Sequence, residues 1–190
     1  MGKLKLHLVT LFSILTIGVL SIGNVAPAYA ATPPIVTTTH KTTTLTVDCK
    51  KVPTSSKAIQ VMKNHRLCGY SNPGIQPDST ISGNCGTLTN NITNLGNGEA
   101  LVSIDITSFF YLGPIVTAAY SGSFWNYTQD FGETVAGGGL NSGFFTYHDQ
   151  KVEITETGYV AYYVLYAQDI TAFGISCSAA GQVNAATTVN

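Results

Sequence analysis

Charged side chains are scarce in this sequence. Asp, Glu, Lys and Arg make up 10% of its 190 residues, against about a quarter in an ordinary globular domain. Long solvated helices and coiled coils depend on such residues, so both are excluded. The apolar content is an ordinary 44%, with ten Tyr and eight Phe, which excludes disorder of the whole chain.

Motifs of the common catalytic and cofactor sites are also missing. The chain has no G-x-S-x-G nucleophile elbow and no C-x-x-C pair. Gly137-Gly138-Gly139 follows no strand–helix junction, so we interpret it as a mobile loop and not as a nucleotide-binding loop. Asp130 and Glu133 lack the ligand spacing of a calcium loop. The sequence predicts no cofactor, no metal, no catalytic residue and no nucleic-acid partner.

The N-terminus has the three parts of a secretory signal peptide. Lys3 and Lys5 precede the apolar stretch Leu8–Val19, and Ala28-Tyr29-Ala30 forms a cleavage motif of small residues. The apolar stretch is shorter than the roughly 20 residues that a membrane span needs. We therefore predict that residues 1–30 are a signal peptide. The remaining 160 residues would be secreted and extracellular, with no membrane span after cleavage.

All four cysteines follow this segment, at Cys49, Cys68, Cys85 and Cys177. An even number in an exported chain predicts two disulfides, for which three pairings exist. We favour Cys49–Cys68, which would hold a helix against the strand before it. The other bridge would then be Cys85–Cys177, joining the two ends of a β-domain. The crossed pairings stay open.

From Cys85 onward the apolar residues recur with a period of two, which is typical of β-strands. Val102, Ile104 and Ile106 alternate with polar residues, and so do Val152 and Ile154. Turn residues separate these runs, as in Leu95–Gly98 and Gly113-Pro114. Tyr159–Ala167 is apolar or aromatic on both faces, which predicts a central strand covered on each side.

About 7–8 short strands at this spacing predict a mainly β fold: an antiparallel β-sandwich, or a barrel-like relative of it, over residues 85–190. Residues 31–44 are interpreted as a flexible Thr/Pro-rich leader, and 45–84 as a segment of one strand, Leu45–Val47, plus a helix. The pattern predicts that helix over Ser55–Leu67, with Thr54 or Ser55 as its N-cap and Gly69 just past its end. A strand around residues 59–61 is the alternative.

The charge is unevenly distributed. Between Ala31 and Tyr70 there are six basic residues and one acid, whereas Ser71–Asn190 holds one basic residue and nine acids. The basic segment either packs on an acidic body or forms a cationic surface for an anionic polymer, a lipid head group or a partner.

Aromatic residues crowd the middle of the domain. Alternation places Trp125 and Tyr127 on the same face as Ser121 and Ser123, opposite Tyr120 and Phe124. Exposed aromatic rings among hydroxyls can stack on sugars or anchor a protein. The alternative is that Trp125 is a core residue. We predict binding residues at four positions: Trp125, Tyr127, Tyr111 and Tyr147.

Residues suited to hydrolysis are scattered. His148 and Asp149 are adjacent and would point to opposite faces of a strand, so we interpret residues 147–151 as a turn in which no acid orients His148. Glycoside hydrolysis would need two carboxylates facing a cleft. The candidates are Asp105, Asp130, Glu133, Glu153 and Glu156.

Three short motifs carry a resemblance: Gly83-Asn84-Cys85-Gly86, Leu112-Gly113-Pro114-Ile115 and Trp125-Asn126. With Cys49 and Cys68 around a helical segment and Cys177 near the end, the chain resembles uncharacterised secreted β-sandwich proteins of Gram-positive bacteria. The resemblance covers about Cys49 to Cys177. It implies an architecture and no activity.

Together these features favour a secreted, non-enzymatic protein that binds a cell-wall polysaccharide or an extracellular protein through an aromatic, hydroxyl-rich β-face. A secreted antagonist, such as a toxin, antimicrobial or enzyme inhibitor, is the second hypothesis. A hydrolase that uses the scattered carboxylates is the third.

Overall fold

The alternating residues do form β-strands, and the strands form a barrel. The computed structural model describes residues 36–51, 55–70, 84–179 and 181–190. The predicted signal peptide, residues 1–30, and most of the turn-rich segment before Asn84 lie outside them. Among the described residues, no helix has the length and apolar character needed to cross a membrane.

In the described part of the chain, nine antiparallel strands make up the barrel wall. They are β1 Thr38–Val47, β2 Asn84–Gly96, β3 Glu99–Ser108, β4 Ile115–Asn126, β5 Phe131–Leu140, β6 Thr146–Ile154, β7 Gly158–Thr171, β8 Ser176–Ala179 and β9 Val183–Val189. Their order is β5-β4-β7-β8-β1-β2-β3-β6, and β9 also pairs with β7. Because β9 and β8 pair with successive halves of β7, they share one position in the wall. The mainly β, antiparallel prediction is confirmed in its barrel-like form: the wall is nearly closed, and an open seam lies between β5 and β6.

The β2–β3 hairpin shows how local sequence sets this wall. Asn97 and Gly98 take positive φ angles of 53° and 77°, as a tight two-residue hairpin turn requires. The register that follows places Val102, Ile104 and Ile106 inside the barrel, where all three are buried.

One short helix, α1 (Ser56–Asn64), is present as predicted. The Ser55 hydroxyl caps it by accepting a hydrogen bond from the Ala58 amide at 3.2 Å. Ala58 and Met62 are buried on its inner face. The alternative strand at residues 59–61 is wrong, and so is the predicted helix end, because Arg66 takes the left-handed conformation (φ 54°) three residues before Gly69.

Both disulfides join the favoured partners. Cys49 and Cys68 are bridged with their Cα atoms 5.4 Å apart, and Cys85 and Cys177 with theirs 6.3 Å apart. The second bridge ties β2 to β8 across 92 residues of sequence. Long loops of this kind are worth about 4.5 kcal/mol in the chain-entropy treatment.

The boundaries drawn in the N-terminal part are wrong in two respects. The first strand begins at Thr38 and not at Leu45, so part of the expected leader belongs to the wall. β1 pairs with β2 from Thr38↔Thr93 onward and is therefore no separate segment beside a core. The sequence did not predict this part of β1 as a strand because its side chains are exposed and threonine-rich, so no apolar alternation marks it. Thr is nevertheless a good strand residue. The Thr42 and Thr89 hydroxyls, for example, form a hydrogen bond of 3.0 Å between β1 and β2.

Two further expectations are corrected. The triple glycine Gly137–Gly139 lies within β5 and is not a loop. β7 is central, but its outer face is uncovered: Tyr159, Leu165 and Tyr166 are each about half exposed. The apolar and aromatic residues on both faces of β7 therefore do not mean that both faces are covered: one face lines the barrel interior, and the other is an exposed, partly aromatic outer surface.

One end of the barrel, which we call the helical end, carries α1. The His65 ring of the α1 C-cap stacks on Tyr111 in the β3–β4 connection at 3.8 Å. In the β5–β6 connection, the Phe145 carbonyl accepts from the Ser108 amide at 2.8 Å. The turns Asn97-Gly98 and Tyr127–Asp130 lie at the opposite end.

Candidate functional site

Four aromatic side chains form a continuous patch on the outside of β4 and β7, which we call the aromatic face: Trp125, Tyr127, Tyr159 and Tyr163. The ring centroids of Trp125 and Tyr127 are 6.3 Å apart, and those of Tyr127 and Tyr159 are 5.9 Å apart. The hydroxyls of Tyr127 and Tyr163 are hydrogen-bonded to each other. Tyr127 and Tyr159 remain 51% and 50% exposed, so two adjacent rings are available to a ligand.

Small residues beside the patch set its shape. Trp125 lies over Gly132 of β5, where a Cβ atom would come within 1.8 Å of the indole ring. The side chain of Asn126, buried beneath the patch, accepts from the Thr128 amide at 2.9 Å and donates to the Thr155 carbonyl at 2.6 Å. Thr128 accepts in turn from the Tyr159 amide at 3.0 Å. These bonds fix the turn that carries Tyr127 against the start of β7.

The aromatic face is electrically neutral. The outward positions of β4, β5, β7 and β9 hold no Asp, Glu, Lys or Arg: the charged residues of these strands, Glu133 and Asp169, point inward. The hydrogen bond between the Tyr163 and Tyr127 hydroxyls and, to a smaller extent, burial raise the pKa of Tyr163 to about 12, so its hydroxyl is uncharged in ordinary buffers. Hydroxyls of Ser121, Ser123 and Thr134 line the neighbouring outward positions. Rings and hydroxyls without charge suit a neutral ligand.

The four predicted binding residues do not lie together. Trp125 and Tyr127 are outside the barrel as alternation predicted, and the alternative of a core Trp125 is wrong. Tyr111 stacks on His65 at the helical end and donates to the Asn84 carbonyl at 2.8 Å. Tyr147 points into the barrel. Sequence reasoning missed Tyr159 and Tyr163 because their strand was expected to be covered on both faces.

A second cluster occupies the barrel interior along the open seam. Lys151 of β6 places its Nζ 2.7 Å from Glu133 Oε1 of β5 and 2.9 Å from Glu153 Oε1. The first contact is a hydrogen bond, while the second has ion-pair distance without hydrogen-bond geometry. Side chains thus join β5 to β6 where no backbone ladder does.

The two carboxyl groups of this cluster have pKa values shifted in opposite directions. Burial and, after it, the neighbouring Glu133 together raise the pKa of Glu153 to about 7 against the opposing effect of Lys151. Hydrogen bonds from Glu153 and Lys151 lower the pKa of Glu133. At neutral pH Glu133 is the ionised partner of Lys151, and Glu153 is part-protonated. Of the five candidate carboxylates, these two are the ones that the fold brings together.

Further along the seam, β5 has a glycine where β6 has a carboxylate. A Cβ atom at Gly137 would lie 2.5 Å from Asp149 Oδ2. That oxygen accepts from the Tyr120 hydroxyl at 2.9 Å and from the Tyr147 hydroxyl at 3.3 Å. The glycine permits β6 to approach, and the two tyrosines bind the carboxylate inside the barrel.

His148 is not in a turn, as the sequence suggested, but in the middle of β6. It faces outward, and its Nδ1 lies 2.7 Å from Asp105 Oδ1 on β3. This contact raises the pKa of His148. An acid therefore does orient it, supplied by the neighbouring strand and not by Asp149. The outer His148–Asp105 pair has no nucleophilic side chain among its described partners, which are Asn91 and Gln150.

The remaining carboxylate candidates, Asp130 and Glu156, lie in connections at the end of the barrel opposite α1. Glu156 lines a cavity of about 290 Å³ together with Gln129, Phe131, Ile154 and Thr155. Within the described part of the chain, no group of three His, Cys, Asp or Glu side chains is placed to hold a metal ion.

The comparisons with known proteins give no relative. No family model matches this chain, and neither a curated protein nor a solved structure is significantly similar to it.

Proposed function

We propose that this chain is an exported, non-enzymatic binding protein whose aromatic face holds a neutral polysaccharide of a cell surface. The observation that carries the proposal is the pair of half-exposed rings, Tyr127 and Tyr159, 5.9 Å apart on the part of the wall whose outward positions, in β4, β5, β7 and β9, hold no charged residue. Sugar rings present apolar C–H faces that stack on aromatic side chains, and their hydroxyls bond to groups such as Ser123 and Thr134.

Export is supported by the cysteines and by the N-terminal sequence. All four cysteines are disulfide-bonded, and such bonds persist in oxidising compartments. The signal-peptide pattern of residues 1–30 remains the sequence-based reason for assigning the oxidising compartment to the cell exterior.

The rigidity of the patch favours binding over catalysis. Its rings are held by Gly132, by the Asn126–Thr155 bond and by the paired strands β4 and β7, so little side-chain entropy is lost when a ligand docks. Glu133 and Glu153, the two candidate carboxylates that both contact Lys151, lie on the inner side of the wall. A sugar stacked on the outer surface would therefore be separated from this carboxylate pair by the wall.

Affinity electrophoresis and pull-down on insoluble polysaccharides test this proposal. We expect binding to neutral polymers, such as cellulose or chitin, and weaker binding to polygalacturonate, which is anionic. Tyr127→Ala and Tyr159→Ala should each weaken binding by about tenfold or more, as expected for central aromatic contacts. The matched control is Tyr166→Ala, since Tyr166 is an equally exposed tyrosine on the same strand but outside the patch.

Two outcomes would contradict the proposal. One is binding to no neutral polysaccharide by a correctly folded protein. The other is binding that Tyr166→Ala weakens as much as Tyr159→Ala does, because the ligand would then not be held by the aromatic face.

A further inference from the structure

We propose that the helical end of the barrel docks on the surface of an anionic phospholipid bilayer. This inference concerns the opposite end of the barrel from the turn that carries Tyr127, and it does not depend on the polysaccharide proposal. It rests on a cluster of exposed apolar side chains and on the basic residues beside it.

The apolar tip consists of side chains from two connections and the last residue of β5: Phe109, Phe110, Leu140, Phe144 and Phe145. Phe110, Leu140 and Phe144 are 84%, 87% and 66% exposed. The Phe110 and Phe145 rings stack at 5.2 Å, which joins the β3–β4 connection to the β5–β6 connection. Contiguous exposed apolar groups of this size are unusual on a monomer and mark an interaction surface.

Several backbone groups of the tip are already hydrogen-bonded. The Phe144 carbonyl accepts from the Ile115 amide at 2.9 Å and from the Asn141 side chain at 2.9 Å. The Ser108 amide donates to Phe145. Unsatisfied backbone groups are costly in a membrane interface, so these hydrogen bonds reduce the cost of bringing the rings into the interface. Residues 107–117 and 135–147 also contain no charged side chain.

A collar of positive charge lies beside the tip. Residues 48–70 contain five basic residues and one acid, Asp48. The basic residues are Lys50, Lys51, Lys57, Lys63 and Arg66. Lys51 is paired with the acid, its Nζ lying 3.3 Å from Asp48 Oδ2.

Contacts at both ends of α1 hold this collar on the barrel. At the C-terminal end, His65 lies between Lys63 and Arg66 in sequence and stacks on Tyr111, next to Phe110. At the N-terminal end, Lys57 Nζ lies 4.2 Å from the centre of the Phe173 ring. The collar and the tip therefore belong to one end of the molecule.

Apolar rings flanked by Lys and Arg are the combination that holds peripheral proteins on anionic membranes. The rings enter the interface, and the cations stay at the level of the phosphates. A protein partner would use the rings equally well, but the net charge of +4 over residues 48–70 (five basic residues and one acid) at the same end favours a surface of dense negative charge. The same charges oppose a second copy of this end, because like charges would meet.

Vesicle co-sedimentation tests the proposal on the chain from Ala31, which contains the whole compact unit Pro33–Asn190. We expect binding to phosphatidylcholine vesicles that contain about one-third phosphatidylglycerol, little binding to phosphatidylcholine alone, and weakening by high salt. The double variants Phe110→Ser/Phe144→Ser and Lys63→Glu/Arg66→Glu should each reduce the partition coefficient at least about tenfold. Tyr166→Ser and Lys41→Glu, an aromatic and a charge change elsewhere on the surface, should leave it within about twofold.

The proposal is overturned if the folded chain ignores anionic vesicles, or if the Phe110→Ser/Phe144→Ser variant binds them as well as the parent does. It is also overturned if that variant unfolds several degrees earlier than the parent, because the rings would then be covering part of the chain itself. Concentration-dependent self-association abolished by the same variant, without vesicle binding, would identify a second copy as the occupant. Polysaccharide binding should persist in this variant, which separates the two proposals.

Discussion

Strands β3 and β6 are neighbours paired over nine residues, yet they send opposite kinds of side chain into the barrel. β3 buries Val102, Ile104 and Ile106 and turns mostly polar residues outward, among them Ser103, Asp105 and Thr107. β6 turns Lys151 and Glu153 inward and leaves Val152 and Ile154 49% and 81% exposed outside. The difference lies in their positions: β3 is in the closed wall, whereas β6 borders the open seam, where water reaches the interior. The interior of the barrel is thus lined by packed apolar side chains at β3 and by a cluster of charged side chains at β6.

The largest loss in the free energy of unfolding is expected for a substitution in β3, which lies in the closed part of the wall. Ile104→Ala removes three carbons from a fully buried position and should lower the free energy of unfolding by about 2–5 kcal/mol. Urea denaturation measures it. A loss below about 1 kcal/mol would mean that the barrel interior is as loosely packed at β3 as at the seam, and the contrast between the two strands would disappear.

A smaller loss is expected at the seam. Lys151→Met removes the cation between Glu133 and Glu153, and at neutral pH the free energy of unfolding should fall by about 1–2 kcal/mol, less than for a fully buried pair because the Lys151 side chain is half exposed. Urea denaturation of Lys41→Met, a change of an exposed lysine on β1, supplies the control. Equal losses in the two variants would show that the seam cluster contributes nothing specific.

The same cluster should make stability depend on pH. The pKa of Glu153 is about 7 in the folded protein and near 4.5 when unfolded, so the folded state binds more protons in this window and stability falls as pH rises through it. Asp169, which is buried with a pKa of about 7, acts in the same direction. Glu153→Gln should flatten the fall between about pH 5 and 7, and Glu153→Gln/Asp169→Asn should flatten it further.

His148 also makes stability depend on pH in this range, so its contribution must be separated from that of Glu153. Asp105 raises its pKa, so the stability from this pair is present below the unfolded value near 6.5 and is lost as pH rises through the folded value. The pH series is therefore run in a His148→Asn background. A slope that Glu153→Gln leaves unchanged there would contradict the assignment of a raised pKa to Glu153.

The smallest effect is expected on the outside of β6. Val152→Thr replaces a half-exposed side chain by one of the same shape and similar strand propensity, so the free energy of unfolding should change by no more than about 0.5 kcal/mol. Thermal and urea unfolding measure it. A loss above about 2 kcal/mol would place Val152 in a core and would invert the orientation of β6.

These strands also show what a sequence can predict. Val102, Ile104 and Ile106 alternate with polar residues, and so do Val152 and Ile154, and both patterns correctly predict strands. The period does not say which face is inward: that is set by the register with β3, which places Val152 opposite Leu101 on the outer surface. The favoured disulfides were predictable because each joins the ends of a segment that the pattern already delimits.

For a related reason, the sequence predicted two residues of the aromatic face and missed the other two. Alternation placed Trp125 and Tyr127 outside correctly, because a single strand carries both. Tyr159 and Tyr163 join them through the pairing of β4 with β7, which brings together residues some 35 positions apart. His148 and Asp105 meet by the same kind of long-range pairing. One sequence without strand order cannot supply such neighbours.

The open seam has a consequence for how copies of this protein behave in a crowd. β5 and β6 are the two edges of the sheet, and an unprotected edge is a template on which another chain can add a strand and start a fibre. Here each edge faces the other, and Lys151 projects inward between them, where an incoming strand would have to bury its charge. The ion cluster therefore protects the β5 and β6 edges against strand addition by another chain.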